Sequence, residues 1–156
     1  MKPILLILLL LLFQQKPPAN QASENRQSTN LPEARILAVI DYSDERTKDV
    51  ITAPATVRVG EDFQITITTS GGGCERAGDT GVLITENSAT VMVYDFTTAT
   101  RPGVACTMIF KQMPHVVSLR FTRPGEAVIQ VWGRRIGKDT PPMGVPTVLE
   151  RRVMVK

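Results

Sequence analysis

The chain has 156 residues, 42% hydrophobic and 21% charged, with a formal net charge of +3. That length favours one domain with a core of ordinary size. The charge is too weak and too scattered for a nucleic-acid surface, which needs dense Lys/Arg stripes, and no run of five or six like charges occurs.

Met1-Lys2 is a short positive start, and residues 4–13 are an unbroken apolar run. Such a run is too short for a membrane-spanning helix, which takes about 20 apolar residues, but it suits the core of a signal peptide. The expectation is a signal peptide or an uncleaved N-terminal anchor over residues 1–19. No Ala-x-Ala cleavage signal marks the cut, and no cysteine follows the run to carry a lipid anchor. Residues 20–33 belong to a stretch rich in Gln, Asn, Ser and Pro, which cannot bury enough apolar surface to order itself. They read as a disordered polar linker, and residues 34–156 as the folded domain. The implied location is outside the cytoplasm: periplasmic, cell-surface or secreted. In such a place the only two cysteines, Cys74 and Cys106, read as a disulfide, the alternative being two buried free thiols. The closed loop is worth ~3–4 kcal/mol in the chain-entropy picture.

From residue 34 onward the pattern is that of short strands. Residues 34–42 (ARILAVIDY) read as a buried strand, and the charged residues 43–49 as a loop or a single helical turn. Residues 55–59 end in the turn Gly60-Glu61-Asp62. Residues 63–69 alternate strictly, with Phe63, Ile65 and Ile67 on one face and Gln64, Thr66 and Thr68 on the other. That alternation marks a strand with one buried face. Further strands are expected at 82–85, 90–96, 105–110, 115–121, 126–133 and 147–155. Long loops are expected at 71–81, 97–103 and 137–146. The spacing of strands and Gly/Pro turns predicts an all-β fold, an antiparallel sandwich of about seven to nine strands. No amphipathic helix of more than two turns follows the leader.

Two segments carry a resemblance. Pro54-Ala-Thr-Val-Arg-Val-Gly-Glu-Asp-Phe-Gln-Ile-Thr-Ile resembles the opening of bacterial immunoglobulin-like domains, an edge strand and a Gly-Glu turn leading into strand B. Leu119-Arg-Phe-Thr-Arg-Pro-Gly-Glu-Ala-Val-Ile-Gln-Val-Trp-Gly resembles their E–F corner. The resemblance spans residues 54–156 and implies an immunoglobulin-like sandwich, an architecture that hosts many unrelated roles. The cysteines are not spaced as the antibody pair is. The resemblance therefore implies a bond that braces a loop at one end rather than one that crosses the core.

Catalytic and metal chemistry find few residues to work with. His115 is the only histidine, and no nucleophile-elbow pattern accompanies it. Cys106, Met108, Met113 and His115 lack the second histidine of a blue-copper set. Glu75 and Asp79 could at most join a weak calcium loop. Gly71-Gly72-Gly73 lacks the Lys-Ser/Thr of a phosphate loop and reads as a turn that delivers Cys74. The expectation is therefore no catalytic residue, no metal and no cofactor.

The remaining candidates are surface features. Trp132, Arg134 and Arg135 form a possible partner-binding group, with Arg120, Arg151 and Arg152 as further basic positions. The functional expectation is a monomeric, non-enzymatic exported module. It binds a protein or polymer of the cell envelope, with no nucleic acid and no membrane contact beyond an uncleaved leader. The alternative is a secreted protease inhibitor. Thr68-Thr69-Ser70-Gly71 and Arg101-Pro102-Gly103 resemble two of the loops with which immunoglobulin-like cysteine-protease inhibitors enter an active site.

Overall fold

The alternating stretch around Ile65 does form a strand, and the rest of the core is laid against it. The computed structural model describes residues 33–42, 49–98, 102–103 and 105–156. They contain ten strands and no helix: β1 Ala34–Leu37, β2 Val39–Tyr42, β3 Ile51–Thr52, β4 Thr56–Val57, β5 Asp62–Gly71, β6 Glu75–Ile84, β7 Ser88–Thr97, β8 Lys111–Arg120, β9 Gly125–Ile136 and β10 Val145–Val155. The leader at residues 1–19, the linker up to residue 32 and the expected turn at 43–48 lie outside the described residues.

The strands make one curled, mixed sheet. One wall is β5 with β8 antiparallel along its length, from Asp62 opposite Arg120 to Gly71 opposite Lys111, and β3 on its other edge. The facing wall is β6, β7, β9 and β10, with β4 on the edge of β10. Inward side chains of both walls meet in a single core. Ile65 and Ile67 face Val91, Val93, Ile129 and Val131, all nearly inaccessible to solvent. Burying each such aliphatic side chain is worth roughly 1.5–3 kcal/mol. Phe63 packs on Phe121 with ring centres 5.5 Å apart.

The sheet is not wholly antiparallel, as the sequence had led us to expect. β7 runs parallel to β9, β2 to β9 and β4 to β10. The reason is connectivity. The chain leaves β7, lays β8 on the opposite wall and returns for β9, and a crossover of that kind brings strands back in the same direction. Two other expectations change. Residues 75–81 belong to β6, where a loop was expected over 71–81, and the strand expected at 82–85 is the end of β6, at 82–84. No residue of β6 is fully buried, so its apolar residues carry no alternation to read. Residues 105–110 form no strand; they run as an exposed strap.

Residues 34–42 do form strand, but in two pieces. β1 pairs with β7 and β2 with β9, and Ala38 is the joint. Its N–H donates to the Val93 carbonyl at 2.9 Å and its carbonyl accepts from the Arg134 N–H at 2.7 Å. Val39 also stands opposite Ser70 of β5, so this strand ties the two walls together. Gly133 makes the crossing possible. A Cβ there would stand 2.6 Å from an Ile40 methyl carbon and 2.8 Å from the Ala38 carbonyl oxygen.

Candidate functional site

The inward rows of β5, β7 and β8 are aliphatic in the middle and turn polar towards the same end of the molecule. On β5 the row Ile65, Ile67 ends in Thr69; on β7, Val91 and Val93 lead to Asp95 and Thr97; on β8, Leu119 and Val117 lead back to His115. The register sets Ile67 opposite His115 and Thr69 opposite Met113. The polar ends therefore converge. His115 Nε2 lies 3.0 Å from Asp95 Oδ1, and Thr69 Oγ1 lies 3.3 Å from the same oxygen, 3.2 Å from His115 Nε2 and 3.3 Å from the Met113 carbonyl. With the proton on Nε2, His115 donates to Asp95, and the Thr69 hydroxyl has its own proton for Asp95 or Met113. All three side chains are buried, so each needs the others.

Beyond this cluster the interior opens into a cavity of about 710 Å³ at the end where β5, β7 and β9 finish. Its inner part is polar. Ser70, Asp95, Thr97, Glu75 and Arg134 all border it. Ser70 is 3% exposed, and its hydroxyl is, among the described residues, the buried side-chain polar atom with no hydrogen-bond partner. Glu75 accepts from the Gly72 N–H. Arg134 donates to the carbonyls of Leu37 and, at 2.8 Å, Met143. Burial pushes the pKa of its guanidinium down, and the charges of Glu75 and Asp95 pull it part of the way back.

The outer part of the cavity is apolar. Tyr42 and Phe110 meet edge to face at 5.6 Å. Beside them Met108, Ile109 and Met143 border the opening with side chains largely in solvent. The strap that carries Met108 to Phe110 is held by the Cys74–Cys106 disulfide, with Cα atoms 5.2 Å apart. The Gly73 N–H adds a bond to the Thr107 carbonyl at 3.1 Å. Gly73 is needed for this approach, since a Cβ there would lie 2.8 Å from that carbonyl oxygen. The glycine run thus serves close contact, and none of its three residues takes a positive φ.

The disulfide read from the sequence is present, and it braces one end without crossing the core. Trp132 lies on the outer face of β9, beside Met92 of β7 and Val148 of β10, and is 41% exposed. Arg134, two residues on, borders the cavity instead. Arg135 stands 4.0 Å from Asp41. Arg120 and Arg152 are matched by Asp62 at 2.7 Å and Glu126 at 3.0 Å, so they add no uncompensated positive charge. Thr68–Gly71 is the end of β5, with Thr69 and Ser70 buried, and is not a presented loop; Arg101 lies outside the described residues. Glu75 and Asp79 are engaged separately, Asp79 with Arg35 at 2.8 Å.

Sequence reading missed the polar cluster and the cavity. A signal for the cluster was present: Asp95 continues the inward row Ala89, Val91, Val93, where a charged side chain demands partners. Among the described residues no group of His, Cys, Asp and Glu could hold a metal ion, and no helix is long and apolar enough to cross a membrane. No protein family profile, no curated protein and no solved structure matches the chain.

Proposed function

We propose that the protein is an exported, non-enzymatic binding module on an immunoglobulin-like sandwich, which engages a protein or polymer of the cell envelope through its disulfide-braced end. The observation that carries this reading is the strap: Met108, Ile109 and Phe110 stand exposed in a row beside a cavity, on a segment fixed by a covalent bond. Exposed apolar side chains on a rigid support are what recognition surfaces use. For the immunoglobulin-like assignment, the two resembling segments supply β4 with β5 and the corner from β8 into β9. The parallel pairing of β7 with β9 departs from the antiparallel sheets of that family. The disulfide supports export, since such bonds persist in oxidising compartments.

A non-enzymatic role is supported by the geometry around His115. Nucleophilic catalysis needs a reachable hydroxyl hydrogen-bonded to its base. The hydroxyl that touches His115 belongs to Thr69, which is 0% exposed, and the buried Ser70 hydroxyl touches no base.

A photo-crosslinking amino acid at position 109, introduced in the producing cell, tests the docking end. We expect a discrete adduct from position 109 and none from position 116, which is equally exposed but lies on β8 away from the strap. Replacing both cysteines by serine should abolish the adduct. Equal labelling from both positions, or none from 109, would sink the reading.

A further inference from the structure

We infer that the Cys74–Cys106 disulfide is a redox latch on the docking end. A dithiol reduces it in the folded protein by attack at Cys106, the strap at residues 105–110 comes away, and the sheet stays intact. This rests on the reading of the strap as the docking surface and goes beyond it, because it makes that surface reversible.

The two ends of the bond are held differently. Cys74 is a fixed post. It stands directly before β6, whose first residue, Glu75, pairs with Thr97 of β7, and its carbonyl accepts from the Thr98 N–H at 3.2 Å. Cys74 is half-buried, whereas Cys106 is exposed. Thiol–disulfide exchange goes where a thiolate can reach a sulfur. Cys106 is therefore the sulfur attacked, and Cys74 the one released.

The rest of the strap's attachment is non-covalent and short. Residues 105–110 belong to no strand, all of them are exposed, and none enters the core cluster. Their main-chain tie is the Gly73 N–H to Thr107 carbonyl bond at 3.1 Å, with the Tyr42–Phe110 edge contact further along. A hydrogen bond and an aromatic contact are small against the conformational entropy of a freed segment. The covalent bond is thus what orders the strap. The core does not depend on it: Ile65, Ile67, Val91 and Ile129 come from β5, β7 and β9, and neither cysteine lies in a strand. Met108, Ile109 and Phe110 border the cavity, so their departure also opens its side to water.

The chemistry balances with a dithiol as reductant. Its thiolate attacks Cys106 Sγ, the Cys74–Cys106 bond breaks, and Cys74 leaves as a thiolate that takes up a proton. The donor's second thiolate then attacks the donor sulfur of the mixed disulfide, and Cys106 leaves and is protonated in turn. The donor ends as a disulfide and the protein as a pair of thiols, and a disulfide oxidant runs the sequence backwards.

The test uses the full-length, disulfide-bonded protein with dithiothreitol, and as a trap a thioredoxin carrying serine for its second active-site cysteine. Without denaturant, dithiothreitol should open the bond no more than about tenfold slower than in urea, exposing both cysteines to alkylation. The trap should be captured on Cys106. Amide exchange at Gly73 should then quicken by about tenfold or more, while the Ala38 N–H, bonded to the Val93 carbonyl, keeps its protection. The inference is overturned if reduction waits for urea, if the trap sits on Cys74, if Gly73 stays protected, or if Ala38 loses protection with it. In the producing cell the adduct from position 109 should vanish when dithiothreitol is added before illumination and return on reoxidation; an adduct that survives reduction also overturns the latch. Absence of the adduct from the oxidised protein would sink the docking reading alone, because capture on Cys106 and exchange at Gly73 are read without a partner.

Discussion

Asp95, His115 and Thr69 sit within 3.0–3.3 Å of one another at the point where aliphatic core gives way to cavity. His115→Leu keeps the volume roughly constant but removes a hydrogen-bond donor to a buried carboxylate. The expected cost is about 1–3 kcal/mol, the penalty for an unserved buried polar group; unchanged urea unfolding would refute the role given to the cluster. Surface carboxylates behave differently. Arg120 beside Asp62 and Arg35 beside Asp79 hold both carboxyls below the ordinary value of 3.8. A depressed folded-state pKa contributes stability that is complete above the unfolded value and is lost as pH falls through the folded one. Asp62→Asn should therefore flatten the fall in stability below pH 3.8, modestly, since the pair is exposed. Denaturation midpoints at neutral and acid pH check this, and an identical acid slope in the variant contradicts it. At this scale the sequence announces need but not partner. Asp95 stands visibly on an inward row, while nothing local to it points to a histidine on a strand of the opposite wall.

Gly133 shows how one element depends on another. The strand formed by β1 and β2 passes over β9 only because that position lacks a Cβ. Gly133→Ala forces Ile40 or the Ala38 carbonyl aside, with an expected loss of about 1–3 kcal/mol, in the range of overpacked cores. Thermal unfolding measures it, and an unchanged midpoint would mean the crossing is looser than described. Elements with one buried face were legible: β5, β7, β8 and β9 follow the alternation of their residues. The end of β6, residues 82–84, was read as strand, but its start at 75–81 was hidden because β6 buries no side chain completely; residues 105–110 misled because apolar side chains there face solvent instead of a core. The cavity itself has no local sequence signature, since its lining comes from segments as far apart as Ile36 and Met143.

For the whole molecule, pairing is dominated by strands distant in sequence, which places folding in the millisecond-to-second regime typical of β proteins. Among the described residues β6 pairs with β7 alone, and Val82, Leu83 and Ile84 are exposed along it, Leu83 at 69%. A long apolar edge is a template for other chains, so Leu83→Lys should reduce self-association at high concentration without shifting the thermal midpoint; light scattering decides it. At another edge β4 lies parallel to β10. Met154 N–H bonds the Ala55 carbonyl, Lys156 N–H the Val57 carbonyl and Val59 N–H the Lys156 carbonyl, each at 2.9 Å. Parallel strands from the early and late parts of the chain have a mechanical consequence. A load applied between residue 54, just before β4, and residue 156 slides β4 along β10, and these bonds share the force together instead of opening one after another. The clasp therefore resists tension across it as a unit.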